Sequence, residues 1–459
     1  MRRIDPSILR TYDIRGLVDQ DLTPDTVRAL GQAIGSVAAD ADQDAVVAGY
    51  DGRESSPRLA TALREGLMAA GRNVIDIGQV PTPVMYFATH YFGTGTGIAV
   101  TGSHNPSDYN GLKTLIAGRP LWGEGIQALG ERIHHHQLVH GEGSERQQDV
   151  LGAYQSRITD EITLPRRLRA VVDCGNGVAG AVAPGVLTAL GAEIIPLYCE
   201  VDGSFPNHHP DPTVPENLDD LIAAVAEHQA DIGLAFDGDG DRLGVVDDQG
   251  HVIWADRQMM LYARAILEEW PGAQIVFDVK CTGQLAEFVR AAGGEPIMWK
   301  TGHSLIKEKL WETGAPLAGE MSGHLFFNDR WYGFDDAIYA AARLLEILAG
   351  QTQTAREVFQ ALPEPVSTPE IRLDLAEGEP HRLINALMAE TSDFDDATVT
   401  TLDGLRVDFS DGWGLVRASN TQPCLVMRFE GQDQAALERI QARFNRLIQA
   451  AGEVCGVVI

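Results

Sequence analysis

The sequence is poor in basic residues. Its 459 residues include 36 Lys+Arg against 65 Asp+Glu, which gives a formal net charge of −29. Such a charge argues against non-specific binding to nucleic acid or to an anionic membrane surface. Lysine is the scarcest of the basic residues, and the chain has only Lys113, Lys280, Lys300, Lys307 and Lys309. Where arginine is the usual cation, a lysine can mark a position that needs a compact point charge.

Cysteine and long apolar runs are also scarce. The five cysteines form no CxxC pair, which argues against a disulfide framework or a zinc ribbon. No uncharged apolar run approaches the ~18 residues that span a bilayer, and residues 1–16 contain no signal-peptide core. We therefore expect a soluble, cytoplasmic protein with no membrane or nucleic-acid partner.

The first three quarters of the chain repeat one pattern. An apolar strand ends at an Asp, a Gly-containing loop and a helical stretch follow, and a second strand closes the unit. The copies begin at residues 45–51, 168–173 and 274–278, with Asp51, Asp173 and Asp278 at corresponding places. Ser56 is the expected N-cap of the first helix, and Pro184 predicts an irregular start to the second. Each copy is a βαβ unit, which favours mostly parallel sheets with right-handed crossovers.

The last hundred residues lack this order. Short alternating strands around Asp403-Gly404 and Asp411-Gly412 predict a meander, and an amphipathic helix follows over residues 437–447. We predict an α/β protein of three related βαβ domains with mixed sheets plus a C-terminal α+β domain, arranged around a central active-site cleft. The expected domains are residues 1–148, 149–250, 251–366 and 367–459.

Two polar segments follow predicted buried strands. Residues 101–113, TGSHNPSDYNGLK, place Ser103 in a Gly/Asn/Pro loop beside His104, with Lys113 within reach, and we expect this serine to be exposed. An ordinary surface turn is the alternative. Residues 237–242, DGDGDR, alternate three carboxylates with glycine, a pattern that suits Mg²⁺ or Ca²⁺. An EF-hand is excluded because Arg242 and Asp248 stand where it needs Gly and Glu.

Two further segments carry polar side chains. In GEMSGH, residues 319–324, Glu320, Ser322 and His324 alternate; Glu and Ser suit sugar hydroxyls, and His can transfer a proton. In RASNT, residues 417–421, one arginine and small polar side chains suit a phosphate. Ordinary turns are the alternative for each segment, but together the four form one coherent set.

Taken together, TGSHNP, DGDGDR, GEMSGH and RASNT make the chain resemble the α-D-phosphohexomutase superfamily. The resemblance covers the whole chain and the order of its motifs, and Met321 resembles the branch that acts on mannose and glucose phosphates. It implies an isomerase that interconverts hexose 1-phosphate and hexose 6-phosphate. Phospho-Ser103 would donate its phosphoryl group to the substrate, which gives a hexose 1,6-bisphosphate. This intermediate would reverse its orientation while bound, and Ser103 would take back the other phosphoryl group.

The resemblance also implies the site residues. One Mg²⁺ per chain would be bound by Asp237, Asp239, Asp241 and phospho-Ser103, and glucose 1,6-bisphosphate would be the activating intermediate. Catalysis would involve Ser103, His104, Lys113, Arg242, Arg15 and His324; of the two proton-transfer candidates, Arg15 and His324, the histidine is preferred because a guanidinium is a poor base. The implied substrate-binding residues are Tyr12, Lys280, Lys300, His303, Glu320, Ser322, His324, Arg417, Ser419, Asn420 and Thr421.

The alternatives are a phosphoglucosamine mutase of the same superfamily, a metal-dependent sugar phosphatase that uses the Asp segment, or a non-catalytic sugar-phosphate- or Ca²⁺-binding module. A phosphatase does not explain the serine segment. Small-molecule hexose phosphates are the expected partners, and a monomer is the family expectation. The preferred sugar does not follow from the sequence.

Overall fold

The structure, a computed structural model, describes residues 4–389, 394, 396–420 and 423–457. They form two compact units. The first comprises residues 1–258 and 322–359, and the second comprises residues 259–321 and 360–459. None of the helices formed by the described residues is both long enough and apolar enough to cross a membrane. The predicted four domains with mixed sheets and helices are confirmed, but no sequence pattern indicated that residues 322–359 belong with the first unit.

The first domain is built on a mixed sheet of strand order β1-β5-β4-β2-β3-β7, with β6 beside β5. The repeat strands β2, β3 and β4 are parallel, whereas β5 is antiparallel to both of its neighbours β1 and β4. Its elements are β1 Ile14–Leu17, α1 Pro24–Asp40, β2 Ala45–Tyr50, α2 Ser56–Ala69, β3 Asn73–Gln79, α3 Thr82–Tyr91, β4 Gly97–Val100, β5 Tyr109–Ile116, β6 Arg119–Pro120, α4 Glu124–His134 and β7 Glu145–Gln147.

The second domain has the strand order β12-β11-β10-β8-β9, in which β8 is parallel to both β9 and β10. Its elements are α5 Leu151–Thr159, β8 Arg169–Asp173, α6 Ala183–Ala189, β9 Glu193–Leu197, α7 Asp219–His228, β10 Ile232–Phe236, β11 Leu243–Asp247 and β12 Val252–Ile253. The irregular start predicted at Pro184 is confirmed, since a 3₁₀ turn, Val178–Ala181, precedes a short α6.

The third domain repeats the pattern, with β13 parallel to β14 and β15. Its elements are α8 Ala255–Glu269, β13 Gln274–Asp278, α9 Gly283–Ala291, β14 Glu295–Trp299, α10 His303–Thr313, β15 Leu317–Gly319, β16 Leu325–Phe327, α11 Ala337–Ala349 and α12 Ala355–Gln360. The chain enters the second unit at Met259, leaves it at Ser322 and re-enters it at Gln360.

The C-terminal domain is an antiparallel sheet of order β17-β22-β21-β20-β19, with β18 also paired to β22. The predicted meander and C-terminal helix are both confirmed. Its elements are β17 Val366–Ser367, β18 Ile371–Asp374, α13 Glu379–Ala389, β19 Thr398–Thr400, β20 Leu405–Phe409, β21 Gly412–Ala418, β22 Cys424–Gly431 and α14 Gln434–Cys455.

The repeated aspartates hold loops at the carboxyl ends of the parallel strands. Asp51 Oδ2 accepts a hydrogen bond from Gly102 N at 3.0 Å, and Asp278 Oδ1 accepts one from Met321 N at 3.2 Å. In both domains the loop that is held follows the strand beside the aspartate's own strand. Asp173 differs, because its carboxylate contacts His208 Nε2 at 3.0 Å. The repeated aspartate therefore holds two of the four polar segments, residues 101–113 and 319–324, by the same kind of hydrogen bond.

The expected N-cap at Ser56 is wrong. Helix α2 begins at Ser56 itself and is preceded by Ser55, whose side chain makes no capping hydrogen bond. The Ser56 hydroxyl instead donates to Asp51 Oδ1 at 2.5 Å, and Asn110 donates to it at 2.9 Å. A buried carboxylate and amide from elsewhere in the domain have taken over a side chain that local propensity assigned to helix capping.

Aromatic side chains join three helices inside the first unit. Phe87 of α3 packs edge-on against Tyr154 of α5 at 5.4 Å between ring centroids, and Trp331 stacks on Tyr339 of α11 at 4.3 Å. The Tyr154 hydroxyl donates to Asp336, whose carboxylate also caps α11 by accepting from Tyr339 N at 2.9 Å. Burial raises the pKa of Asp336 to about 7, although these hydrogen bonds act in the opposite direction.

Replacing Asp336 with asparagine should make stability less dependent on pH. An Asp with a raised folded-state pKa contributes most stability below its ordinary value of 3.8, and this stability is lost as the pH rises towards about 7. Asparagine keeps an acceptor but cannot ionise. We expect the variant to gain up to about 4 kcal/mol relative to the native chain over this range. Thermal unfolding between pH 4.5 and 8 would measure it, with exposed Asp160→Asn as the control; parallel curves for Asp336→Asn and the native chain would contradict the prediction.

Candidate active site

The serine loop, residues 101–108, follows β4 and carries Ser103. Its turn is held by the Thr101 side chain, whose hydroxyl accepts from Ser103 N at 2.8 Å. Residues 106–108 are exposed, but Ser103 is only 1% exposed, so the expectation of an exposed serine is wrong. Burial follows from long-range packing, because Ser103 Oγ points at a second loop and donates to Asp237 Oδ2 at 2.9 Å.

The carboxylate loop, residues 237–242, follows β10 and is fully buried at its three aspartates. Asp237 Oδ1 accepts from the backbone N–H groups of Asp241 at 3.0 Å and Arg242 at 3.1 Å, which closes the loop on itself. Asp239 is anchored from α3, because Thr82 Oγ1 donates to its Oδ2 at 2.5 Å. One ligand atom from each of Asp237, Asp239 and Asp241 lies within 4.8 Å of the others.

Lys113 neutralises much of this carboxylate charge. From β5 its Nζ donates to Asp239 Oδ2 at 2.8 Å and contacts Asp241 Oδ2, and the side chain is buried. Burial alone would lower the pKa of Lys113, but Asp239 and Asp241 raise it above its ordinary value. The lysine is therefore a fixed positive charge at the place where three acidic side chains meet.

The carboxylate loop fits a divalent cation. Oδ1 of Asp239 is buried and has no hydrogen-bond partner among the described residues, and a buried carboxylate oxygen in that state is costly unless a cation or donor reaches it. All three side chains offer hard oxygen ligands, which suit Mg²⁺ or Ca²⁺. Burial, together with Asp241 and Asp239, raises the pKa of Asp237, as expected for acids crowded without enough positive charge.

Further cations and a histidine surround Ser103. Arg15 of β1 contacts Asp13 and Asn105, the latter within the serine loop. His104 Nδ1 lies 3.2 Å from Ser103 Oγ; desolvation, with Arg242 and Arg15 nearby, lowers the pKa of this imidazole well below its usual value. His104 is therefore neutral and able to exchange a hydrogen bond with the serine.

His324 completes this group in the first unit. Its Nε2 lies 3.3 Å from Asp241 Oδ1 and from Arg242 Nε, and its Nδ1 lies 3.0 Å from the Ser322 hydroxyl. The backbones of Arg242 and His324 form an isolated antiparallel bridge. The structure therefore brings Ser103, His104, Lys113, the three aspartates, Arg15, Arg242, Ser322 and His324 together. Tyr12 lies buried just before β1.

A second group of predicted residues lies in the second unit. Glu320 is buried and accepts from Gly302 N at 2.5 Å, and His303 begins α10 next to that glycine. Lys280 Nζ donates to Glu370 at 3.1 Å. Burial alone would lower the pKa of Lys280, but Glu370 raises it, and Lys280 lowers the pKa of Glu370 to about 2. Lys300 is exposed at the end of β14.

The arginine segment of the C-terminal domain begins on β21. Arg417 is buried and its Nε donates to Asp403 at 3.1 Å, while Asp403 also accepts from Thr301 N at 3.0 Å. Ser419 N donates to Cys424 O at 2.9 Å, and Asn420 follows Ser419 in the chain. Thr421, the last residue of the predicted set, lies outside the described residues.

Sequence reasoning missed several residues that contact this site. Arg53 contacts the backbone of the serine loop, Thr82 holds Asp239, and His209 Nε2 contacts His104 O. Arg53 belongs to the first copy of the repeat and His209 to a proline-rich loop, where the sequence assigned no chemistry to either. The only available signal was that Asp51-Gly-Arg53 occupies the position of a functional loop in the repeat.

Comparison with protein-family models finds four consecutive matches. The alpha/beta/alpha domains I, II and III of the phosphoglucomutase/phosphomannomutase family match residues 6–139, 153–250 and 254–366, respectively. The C-terminal domain of the same family matches residues 370–447. The matches together span most of the chain and keep the order of the family's domains.

Individual relatives are similar over nearly their whole length. The chain is 53% identical to the phosphomannomutase/phosphoglucomutase of Pseudomonas aeruginosa over 444 residues, covering 97% of this chain and 96% of the relative. It is 49% identical to the phosphoglucomutase of Neisseria gonorrhoeae over 454 residues, covering 98% of each. A crystal structure of a phosphoglucomutase/phosphomannomutase family protein from Burkholderia thailandensis superposes with a TM-score of 0.93 at 52% identity, covering 98% of both chains.

Proposed function

The chain belongs to the phosphoglucomutase/phosphomannomutase family, and from this premise we propose that it interconverts the 1- and 6-phosphates of mannose and glucose through a phosphoserine at Ser103. The observation that carries the proposal is the hydrogen bond from Ser103 Oγ to Asp237 Oδ2 at 2.9 Å, beside the aspartates that Lys113 pairs with. A serine oxygen held beside buried carboxylates and fixed positive charges is placed to carry and release a phosphoryl group.

The reaction consists of two transfers of opposite direction. The hydroxyl of a bound hexose monophosphate attacks the phosphorus of phospho-Ser103, the Oγ–P bond breaks, and a hexose 1,6-bisphosphate forms. The bound bisphosphate then reverses its orientation. Ser103 Oγ attacks its other phosphoryl group, and the isomeric monophosphate is released. No phosphate is gained or lost over the cycle. Glucose 1,6-bisphosphate is the intermediate for glucose phosphates, and it can also donate a phosphoryl group to an unphosphorylated Ser103.

We assign one Mg²⁺ per chain to Asp237, Asp239 and Asp241, with a phosphate oxygen of phospho-Ser103 as a further ligand. The orphaned Asp239 Oδ1 and the all-oxygen donor set support this assignment. When bound, the ion would supply charge stabilisation to the transferring phosphoryl group. A phosphoserine adds about −1.5 to −2 to the three carboxylates. Lys113 and Arg242 offset part of this charge, and the neutral His104 can contribute a hydrogen bond.

His324 is the preferred proton-transfer group. Its Nδ1 is oriented by Ser322, which leaves Nε2 facing Asp241 and Arg242. An imidazole can take the proton of an attacking sugar hydroxyl and return it to the leaving oxygen. Arg15 is the weaker candidate, because a guanidinium stays protonated, and we assign it with Tyr12 to substrate positioning.

We assign Glu320 and Ser322 to the 3- and 4-hydroxyls of the sugar. A site that binds only these hydroxyls would accept both mannose and glucose, which differ at C2. Lys280, Lys300 and His303 are assigned to substrate binding, and Arg417, Ser419, Asn420 and Thr421 to the distal phosphate. The domain limits 1–148, 149–250, 251–366 and 367–459, a monomeric state and a cytoplasmic location complete the proposal.

A coupled assay tests the activity. Mannose 1-phosphate and glucose 1-phosphate are each supplied with Mg²⁺ and a trace of glucose 1,6-bisphosphate, and formation of the 6-phosphate is followed. We expect both to be isomerised without release of inorganic phosphate. Faster conversion of glucosamine 6-phosphate than of mannose 6-phosphate would favour a phosphoglucosamine mutase, and net phosphate release would favour a phosphatase.

A further inference from the structure

Arg53 is a buried arginine beneath the serine loop. Its side chain is 1% exposed, its Nε lies 3.2 Å from Asp51 Oδ2, and its guanidinium lies 5.1 Å from the ring centroid of Phe205. Burial lowers the pKa of Arg53, while Asp51 opposes that shift. Taking a guanidinium out of water costs several kcal/mol unless its hydrogen bonds are well satisfied. The burial of Arg53 therefore indicates a role that a solvent-exposed arginine would not have.

The donors of Arg53 are directed at backbone carbonyls of the segment around Ser103. Nη2 donates to Ser103 O at 2.7 Å and to Asn105 O at 2.5 Å, while Nη1 donates to Tyr109 O at 3.1 Å and contacts Pro106 O. A planar fork with five donors can satisfy several carbonyls at once, whereas an ammonium is a point donor on a flexible stem. One side chain therefore holds four backbone carbonyls of the segment from Ser103 to Tyr109.

The carbonyl of Ser103 has little freedom to move. Ser103 adopts φ +49°, a left-handed conformation that costs a non-glycine residue ~1 kcal/mol or more and persists only where surrounding contacts enforce it. On its other side lies Gly238 of the carboxylate loop, where an added Cβ would come within 2.2 Å of Ser103 O. At Gly102 an added Cβ would lie 2.5 Å from the Arg53 guanidinium carbon.

We infer that Arg53 is a positioning residue, which fixes the Ser103 carbonyl and so aims Ser103 Oγ at the carboxylate loop. The inference rests on the proposed function, because the aim matters only if Ser103 carries a phosphoryl group. Arg53 acts through the backbone and touches no reacting atom. In the left-handed conformation the carbonyl faces Arg53 while Oγ reaches Asp237. Loss of the fork would release the carbonyl, and a reacting group displaced by about 1 Å can lose about 10²-fold in rate.

The test compares Arg53→Lys and Arg53→Met with Arg343→Lys. Arg343 is a matched control: it is also buried, it belongs to the first unit, and it pairs with Asp329 at 2.9 Å. We expect both Arg53 variants to lower kcat per folded molecule by about 10²-fold, with KM for glucose 1-phosphate changed by less than about threefold. Hydrogen exchange of the amides of residues 101–109 should accelerate in the Arg53 variants and not in Arg343→Lys.

Each other outcome has a defined meaning. Native kcat in a folded Arg53→Lys enzyme would overturn the inference, as would equal kcat per folded molecule in Arg53→Lys and Arg343→Lys, since Arg53 would then only stabilise the fold. If the unsubstituted protein neither isomerises hexose phosphates nor becomes phosphorylated at Ser103, the proposed function fails instead. In that case unchanged exchange at residues 101–109 would also overturn the positioning role, and faster exchange would support it.

Discussion

Replacing Ser103 with alanine should lower mutase turnover by at least about 10³-fold, because the phosphoryl group then has no carrier. The fold should survive, since the change removes only the side-chain hydrogen bonds to Asp237 and His104, each worth about 1 kcal/mol. Turnover is measured by the coupled assay on glucose 1-phosphate. Intact-mass measurement after incubation with glucose 1,6-bisphosphate should show the mass of one phosphoryl group on the native chain and none on the variant.

Ser107 provides the control for this experiment. It lies in the same serine loop but is exposed, so Ser107→Ala should keep native turnover and native phosphorylation. Substantial mutase activity in the Ser103→Ala enzyme would contradict the phosphoserine mechanism. Turnover lost equally in both variants would point to disturbance of the loop and not to loss of a phosphoryl carrier.

Replacing Asp239 with asparagine should lower turnover by about 10²-fold or more and raise the Mg²⁺ concentration needed for half-maximal activity. The change keeps an oxygen acceptor for Thr82, but it removes one negative charge from the cation site and weakens the pairing with Lys113. Loss of a charged ligand weakens a hard-cation site directly. Mn²⁺ binding followed by electron paramagnetic resonance would report the affinity independently of turnover.

Asp219→Asn is the matched control, because Asp219 is an exposed aspartate of the same domain at the start of α7. It should leave both the metal requirement and turnover unchanged. Unaltered Mn²⁺ affinity in Asp239→Asn would remove this residue from the proposed ligand set, even if turnover fell.

The features that the sequence predicted best are those with a local cause. Strands β8 and β13 end at Asp173 and Asp278, and β2 ends one residue before Asp51, as the repeated pattern indicated, because apolar runs and glycine turns are decided over a few residues. The carboxylate loop was equally apparent, since three aspartates alternating with glycine have few other uses. The central cleft predicted from the four motifs stays a prediction.

Other features depend on contacts distant in sequence and could not be predicted in that way. Ser103 is buried because Asp237, more than a hundred residues away, receives its hydroxyl. Ser56 is lost as a helix cap because Asp51 and Asn110 engage it. The sequence did not identify Arg53 as a site residue, because its partners are backbone carbonyls, which carry no sequence signal. In each case tertiary packing overrides a local preference that was correctly identified.

The division of the chain into two units also constrains the order in which the protein can be completed during translation. The first unit needs residues 322–359, so it cannot be finished when the ribosome has made only the first 258 residues. Part of the second unit, residues 259–321, emerges before that missing piece. A nascent chain stalled near Met321 must therefore contain an incomplete first unit. For the same reason, dividing the gene at one position cannot give two fragments that each contain one complete unit.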